Sequence, residues 1–147
     1  MYGMLLFFHI LAATVWTGGH LILATTILPR ALRGRSVDEL LRFESAFERI
    51  GIPALLIQVV TGLLLAQRMI PDIGQWLDFD SPFSRLIGTK LILLLLTIAL
   101  AVHARLRVIP RLSQDRLTVL AWHVIPVTVI SVLFVLVGVS FRTGWFW

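Results

Sequence analysis

The sequence contains no cysteine, which excludes disulfides, iron–sulfur clusters and thiolate metal sites. Methionine is scarce: Met1, Met4 and Met69 are the only three, and all fall near one side of the expected membrane domain. Soft sulfur ligands are therefore rare throughout. Acidic side chains are absent from every long apolar run, since all eight lie in the segments between those runs. That removes a nucleophilic site of the Ser–His–acid type and proton-coupled transport through an intramembrane carboxylate. There is no glycine-rich phosphate loop. No basic segment precedes the first apolar run, so that run is expected to stay as a span and not to be cleaved as a signal peptide.

Hydrophobicity is what the chain has in excess. It is 58% apolar with a mean hydropathy of +0.91, against about 45–50% apolar for a soluble domain. Four runs, about 4–28, 50–66, 86–108 and 119–140, are long enough to cross a hydrocarbon core, which takes about 20 residues. Backbone polar groups in lipid must be satisfied within their own segment, so each run is expected to be a helix. The expected fold is all-α: one integral membrane domain over residues 1–147, a four-transmembrane-helix bundle running up-down-up-down. Pro126 is expected to kink the fourth span. A pI near 11.3 would fit nucleic acid, but the basic residues are arginines in short loops, where they encode topology. The expected partner is the lipid bilayer, with no nucleic acid; a homodimer is compatible with the sequence.

The arginines are unevenly shared. The first loop carries Arg30, Arg33, Arg35, Arg42 and Arg49, and the third carries Arg105, Arg107, Arg111 and Arg116. The opposite side has Arg68, Arg85 and Arg142. The bias places loops one and three in the cytoplasm and both termini on the periplasmic side. Trp76, Trp145 and Trp147 then fit an aromatic belt at the outer interface. In the first loop, Ser36 and Glu39 have capping-box spacing, and Leu40, Phe43, Phe47 and Ile50 recur at helical spacing. Residues 37–49 read either as a short amphipathic helix on the cytoplasmic surface or as a continuation of the second span.

Polar residues within a bilayer are costly and usually functional. Here they are His9, His20, Gln58, Lys90, His103 and His123. His9 and His20 are eleven residues apart on the first helix. That puts them within about 20° on one face and about 16 Å apart along the axis. His103 lies five residues from the cytoplasmic end of the third span and His123 four residues from the start of the fourth, so antiparallel neighbours bring them to nearly one depth. An inner layer of His20, His103 and His123 is expected, with His9 and Lys90 in an outer layer that forms a second site or relay. Gln58 and Thr61 read as interhelical hydrogen-bonding groups.

The inner layer suits three chemistries. Heme b can be held by two axial histidines out of His20, His103 and His123, with room beside Gly18 and Gly19 and with Arg105 or Arg107 for propionates. That reading implies electron transfer or redox chemistry, with a quinone or a periplasmic redox partner. The same three imidazoles can bind copper, Cu(II) more readily than Cu(I). The bland alternative is hydrogen bonding between helices, as in a structural accessory subunit of a larger complex.

The segment His9-Ile-Leu-Ala-Ala-Thr-Val-Trp-Thr-Gly-Gly-His20, with Leu28-Pro29-Arg30 ending its span, resembles the CopD family. Lys90-Leu-Ile-Leu-Leu-Leu-Leu with His103 at its far end, and Trp122-His123 opening the fourth span, are similar to the same family. The resemblance implies a multi-pass protein of the bacterial inner membrane connected with copper uptake or tolerance. A more distant similarity is to HemJ, a heme-associated oxidase family, although Gly88-Thr89 stand where an aromatic and a histidine belong in its motif. The orientation is directly testable. Alkaline phosphatase fused after Arg142 should be active, and the same reporter fused after Gly34 should be inactive; the reverse pattern would invert the assignment.

Overall fold

The computed structural model describes residues 1–145, so Trp147 and its place in an aromatic belt lie outside the described residues. The described chain is helical, without strands, and four helical stretches are long and apolar enough to cross a membrane: Tyr2–Gly34, Val37–Met69, Pro82–Arg111 and Gln114–Thr143. They are called spans I to IV. Their main helices are α1 (Tyr2–Ile22), α2 (Leu28–Gly34), α3 (Val37–Met69), α4 (Pro82–His103) and α5 (Leu117–Thr143).

Spans I and III run further than the sequence implies, and by the same device. Proline has no N–H and its ring crowds the preceding turn, so a helix is expected to end beside it. In span I a π-helical turn, Leu23–Ile27, precedes Pro29. The N–H of Leu28 reaches back five residues to the carbonyl of Leu23, and Pro29 then sits in the first turn of α2, where no N–H is needed. Span III repeats this with the π-helical turn Ala104–Val108, followed by a 3-10 turn over Ile109–Arg111 that holds Pro110. His20 lies just before the first π turn, and His103 caps the second. Span I ends at Arg35 in a left-handed conformation, φ 49°.

Span II is one helix of 33 residues that runs through Pro53. Residues 37–49 are therefore its direct continuation. The Ser36 hydroxyl caps this helix by accepting from the N–H of Glu39 at 3.3 Å. Span IV likewise continues through Pro126. Span I packs against spans II and IV, and span IV packs against span III, whereas spans II and III barely touch. The polar contacts between spans I and IV are hydroxyl-to-carbonyl bonds: Thr17 to the Ser131 carbonyl (3.4 Å) and Thr128 to the His20 carbonyl (3.2 Å). One apolar cluster, including Leu28, Ala31, Leu40 and Leu120, fills the arginine-rich end; another, of Leu86, Leu93, Ile130 and Val137, joins spans III and IV nearer the end bearing the termini.

Trp76 does not sit at the lipid surface. It is buried in the loop between spans II and III, and its indole N–H donates to the Ile70 carbonyl at 2.9 Å. The loop closes on Gly88, where an added Cβ would meet the Phe79 ring at 2.8 Å. Among the described residues the exposed tryptophans are Trp145 at the terminal end and Trp122 at the arginine-rich end.

Gly19 is the tightest contact between spans I and II. A Cβ there would collide with the Phe47 ring, while one on Gly18 would meet nothing within 4 Å. Gly19→Ala is therefore expected to lower the melting temperature of the purified protein, at a cost of about 1–3 kcal/mol for overpacking. Gly18→Ala should leave it unchanged or raise it. Equal effects of the two substitutions would contradict this packing.

Candidate functional site

The two histidines at the arginine-rich end meet. His103, at the end of α4, and His123, nearly two turns into α5, place His103 Nδ1 2.8 Å from His123 Nε2. The ring planes lie 9° apart. The proton positions follow from the other nitrogen of His123. Its Nδ1 lies 2.9 Å from the Val119 carbonyl, which can only accept. The hydrogen of His123 is thus on Nδ1, its Nε2 is bare, and His103 Nδ1–H donates to it. Among the described residues the second nitrogen of His103 has no hydrogen-bond partner, and the residue is exposed.

A charged cluster lies at the same end of the bundle. Arg105, two residues past His103, reaches across to span II and pairs with Glu48 (3.0 Å) and Glu44 (3.4 Å). It therefore ties together the ends of the two spans that otherwise barely touch. Two carboxylates face one guanidinium, and burial, with Glu48 adding to it, pushes the Glu44 carboxyl up from its ordinary value. The sequence reading offered Arg105 to an anionic cofactor; in the fold its guanidinium is already engaged. Glu44 and Glu48 were not singled out from the sequence, although their spacing of four on a helix places both on one face.

His20 stands apart from the pair. It is buried, its Nδ1–H donates to the Trp16 carbonyl of its own helix at 2.9 Å, and its ring neighbours are Trp16 and Phe47. Among the described residues, no group of three or more His, Cys, Asp or Glu side chains gathers as a metal set. The inner layer is thus a pair, His103 and His123, plus a separate His20.

This arrangement gives no support to a heme. Axial imidazoles on opposite faces of an iron must stand apart by two metal–nitrogen bonds of about 2 Å each. The facing nitrogens of His103 and His123 are too close for that. Beside Gly18 and Gly19 there is a shallow groove, but Phe47 occupies the Gly19 side, and its lining of Thr14, Ile22, Phe43 and their neighbours offers no ligating side chain.

His9 and Lys90 form a second polar level towards the terminal end. His9 Nδ1–H is shared between the Gln58 carbonyl (3.0 Å) and the Thr61 hydroxyl oxygen (3.1 Å). The Thr61 hydroxyl in turn donates to the Ile57 carbonyl. The His9 ring lies over Gly62, where a Cβ would stand 3.0 Å from it. Lys90 reaches to span IV, with its ammonium over the Phe141 ring and against Gly138. Gly62 and Gly138 carry no side-chain chemistry, so the sequence had no signal that they seat these two groups.

The model of the CopD family, copper resistance protein D, matches residues 41–141, which cover spans II, III and IV. The likeness read from the first span lies outside that match, and the likeness to HemJ is not borne out. No curated protein and no solved structure matches the chain. With the match extending over more than half of the chain, this multi-pass helical membrane protein belongs to the CopD, or copper resistance protein D, family.

Proposed function

We propose that this protein binds copper at the His103–His123 pair and serves copper tolerance in the bacterial inner membrane. The observation that carries the reading is the 2.8 Å separation of two imidazole nitrogens from neighbouring helices. Copper(II) favours square-planar or tetragonal sets of nitrogen and oxygen. Two nitrogens each about 2.0 Å from one ion, at a right angle to one another, stand about 2.8 Å apart. The spacing of the two ring nitrogens therefore suits adjacent corners of such a set.

Binding requires one proton to move. His103 shifts its hydrogen from Nδ1 to Nε2, so both facing nitrogens become bare, and the ring keeps its charge. His123 keeps its Nδ1–H on the Val119 carbonyl, which holds its ring in orientation as a ligand. Two protein ligands leave the other positions to water or to a partner's donors. That suits exchange of the ion more than permanent storage. The family's connection with copper resistance supports the choice of metal.

Metal analysis of detergent-purified protein, equilibrated with copper sulfate and desalted, should find about one copper per chain, released by chelator. His103→Ala or His123→Ala should weaken binding at least about tenfold, and His9→Ala should not. Wild-type protein without copper, or alanine variants that bind as it does, would contradict the assignment.

A further inference from the structure

The outer side of spans I and II holds a groove that no side chain fills. Its volume is about 440 Å³, with Thr14, Gly18 and Ile22 of span I on one wall and Phe43, Ala46 and Ile50 of span II on the other. The lining is apolar apart from Thr14, whose hydroxyl donates within its own helix to the Ile10 carbonyl. Phe47, seated against Gly19, forms the floor. Gly18 keeps the groove open, since a Cβ added there would meet nothing within 4 Å. Along span I the lining runs from Thr14 to Ile22, about 12 Å of helix. Ile22 and Ile50 are half exposed on its walls, at a depth where hydrocarbon is the solvent.

A basic recess adjoins the groove on span II. Arg42 precedes Ala46 by four residues and Arg49 follows it by three, so all three share one face of α3. Arg42, Ser45, Ala46 and Arg49 are exposed, and Arg42 and Ser45 line the recess with Asp38. At about 100° per residue, Glu44 and Glu48 fall on another side of the helix, where they meet Arg105. They do not neutralise this face. Arg42 spends only its Nε–H within the protein, on the Asp38 carbonyl at 3.3 Å. Neither Arg42 nor Arg49 has an ion pair among the described residues. Both guanidiniums therefore keep free donors beside an apolar groove. Arginine presents paired N–H groups that match the oxygens of a phosphate. An apolar chain with a phosphate at its end is the chemistry of a phospholipid. A peptide strand would leave its backbone groups unsatisfied against Gly18, Ile22 and Ile50.

We propose that this face binds an anionic phospholipid, with one acyl chain in the Gly18 groove and its phosphodiester on Arg42 and Arg49. Asp38, the acid of the recess, accepts from a headgroup hydroxyl. The site is built by spans I and II, whereas the copper pair belongs to spans III and IV, and it does not depend on the copper reading.

The probes are dioleoylphosphatidylglycerol and dioleoylphosphatidylcholine, added to the delipidated full chain in detergent. Retained lipid is counted by native mass spectrometry, and the melting temperature is followed in parallel. Phosphatidylglycerol should be retained, and phosphatidylcholine, whose choline cation opposes the arginines, should be retained at least about tenfold less. The double substitution Arg42→Gln, Arg49→Gln should weaken phosphatidylglycerol retention by a similar factor, and Arg42→Lys, Arg49→Lys should restore most of it. Arg111→Gln, Arg116→Gln removes the same charge from exposed positions at the same end of the bundle and should change nothing. Gly18→Leu fills the groove and should lose most of the retained lipid without a fall in melting temperature. Equal retention of the two lipids, equal loss in the Arg111 and Arg116 variant, or full retention by folded Gly18→Leu would overturn the proposal. So would a dimer that takes up no lipid and that Gly18→Leu dissociates, because a second copy would then occupy the groove.

Discussion

In hydrocarbon no solvent drives helices together, and association rests on close approach and on polar groups that find partners. This bundle meets that constraint by seating large or charged side chains on the glycines of another element. Phe47 fits against Gly19, His9 against Gly62, Lys90 against Gly138, and Phe79 against Gly88. Each seat fixes where a side chain points. The Gly19 seat locks the first two spans and encloses His20 with the same phenyl ring. The Gly62 and Gly138 seats hold His9 and Lys90 to neighbouring spans. Hydroxyls of Thr17, Thr128 and Thr61 complete the pattern by donating to backbone carbonyls in the interior.

The two ends of the bundle face opposite chemical problems. At the arginine-rich end, two imidazoles from neighbouring spans face each other nitrogen to nitrogen, an arrangement that a cation can bridge once the shared proton has moved. Towards the terminal end, Lys90 makes the interior positive and offers nothing to a metal cation. A path for copper along the centre would have to pass this ammonium. The copper reading therefore assigns capture and exchange to one face of the membrane, without conduction through the bundle.

Span number and helical character were legible from the sequence because hydropathy and the backbone constraint in lipid act on single segments. The meeting of His103 and His123 was also legible: a short connection makes their helices antiparallel neighbours, and both histidines lie close to it. What was not legible depends on helix azimuth and on local backbone adjustment. His20 has a depth similar to that pair, yet its helix turns it towards Trp16 and Phe47. Pro29 and Pro110 read as helix ends, because the extra residue of a π turn that accommodates each has no residue-type signature. Trp76 read as an interface anchor, since its composition and position suit that role; its burial follows from the Phe79 and Gly88 contact and the bond to Ile70. The likeness to a copper-resistance family was read chiefly from span I, while the family match itself rests on the other three.

The central claim is that two imidazoles, His103 and His123, hold one copper ion at adjacent positions. Electron paramagnetic resonance of the Cu(II)-loaded protein in detergent tests it most directly. A tetragonal spectrum is expected, with nitrogen couplings from two imidazoles, and both couplings should disappear in the doubly substituted His103→Ala, His123→Ala protein. A spectrum without imidazole nitrogen, or one unchanged in the double variant, would contradict it.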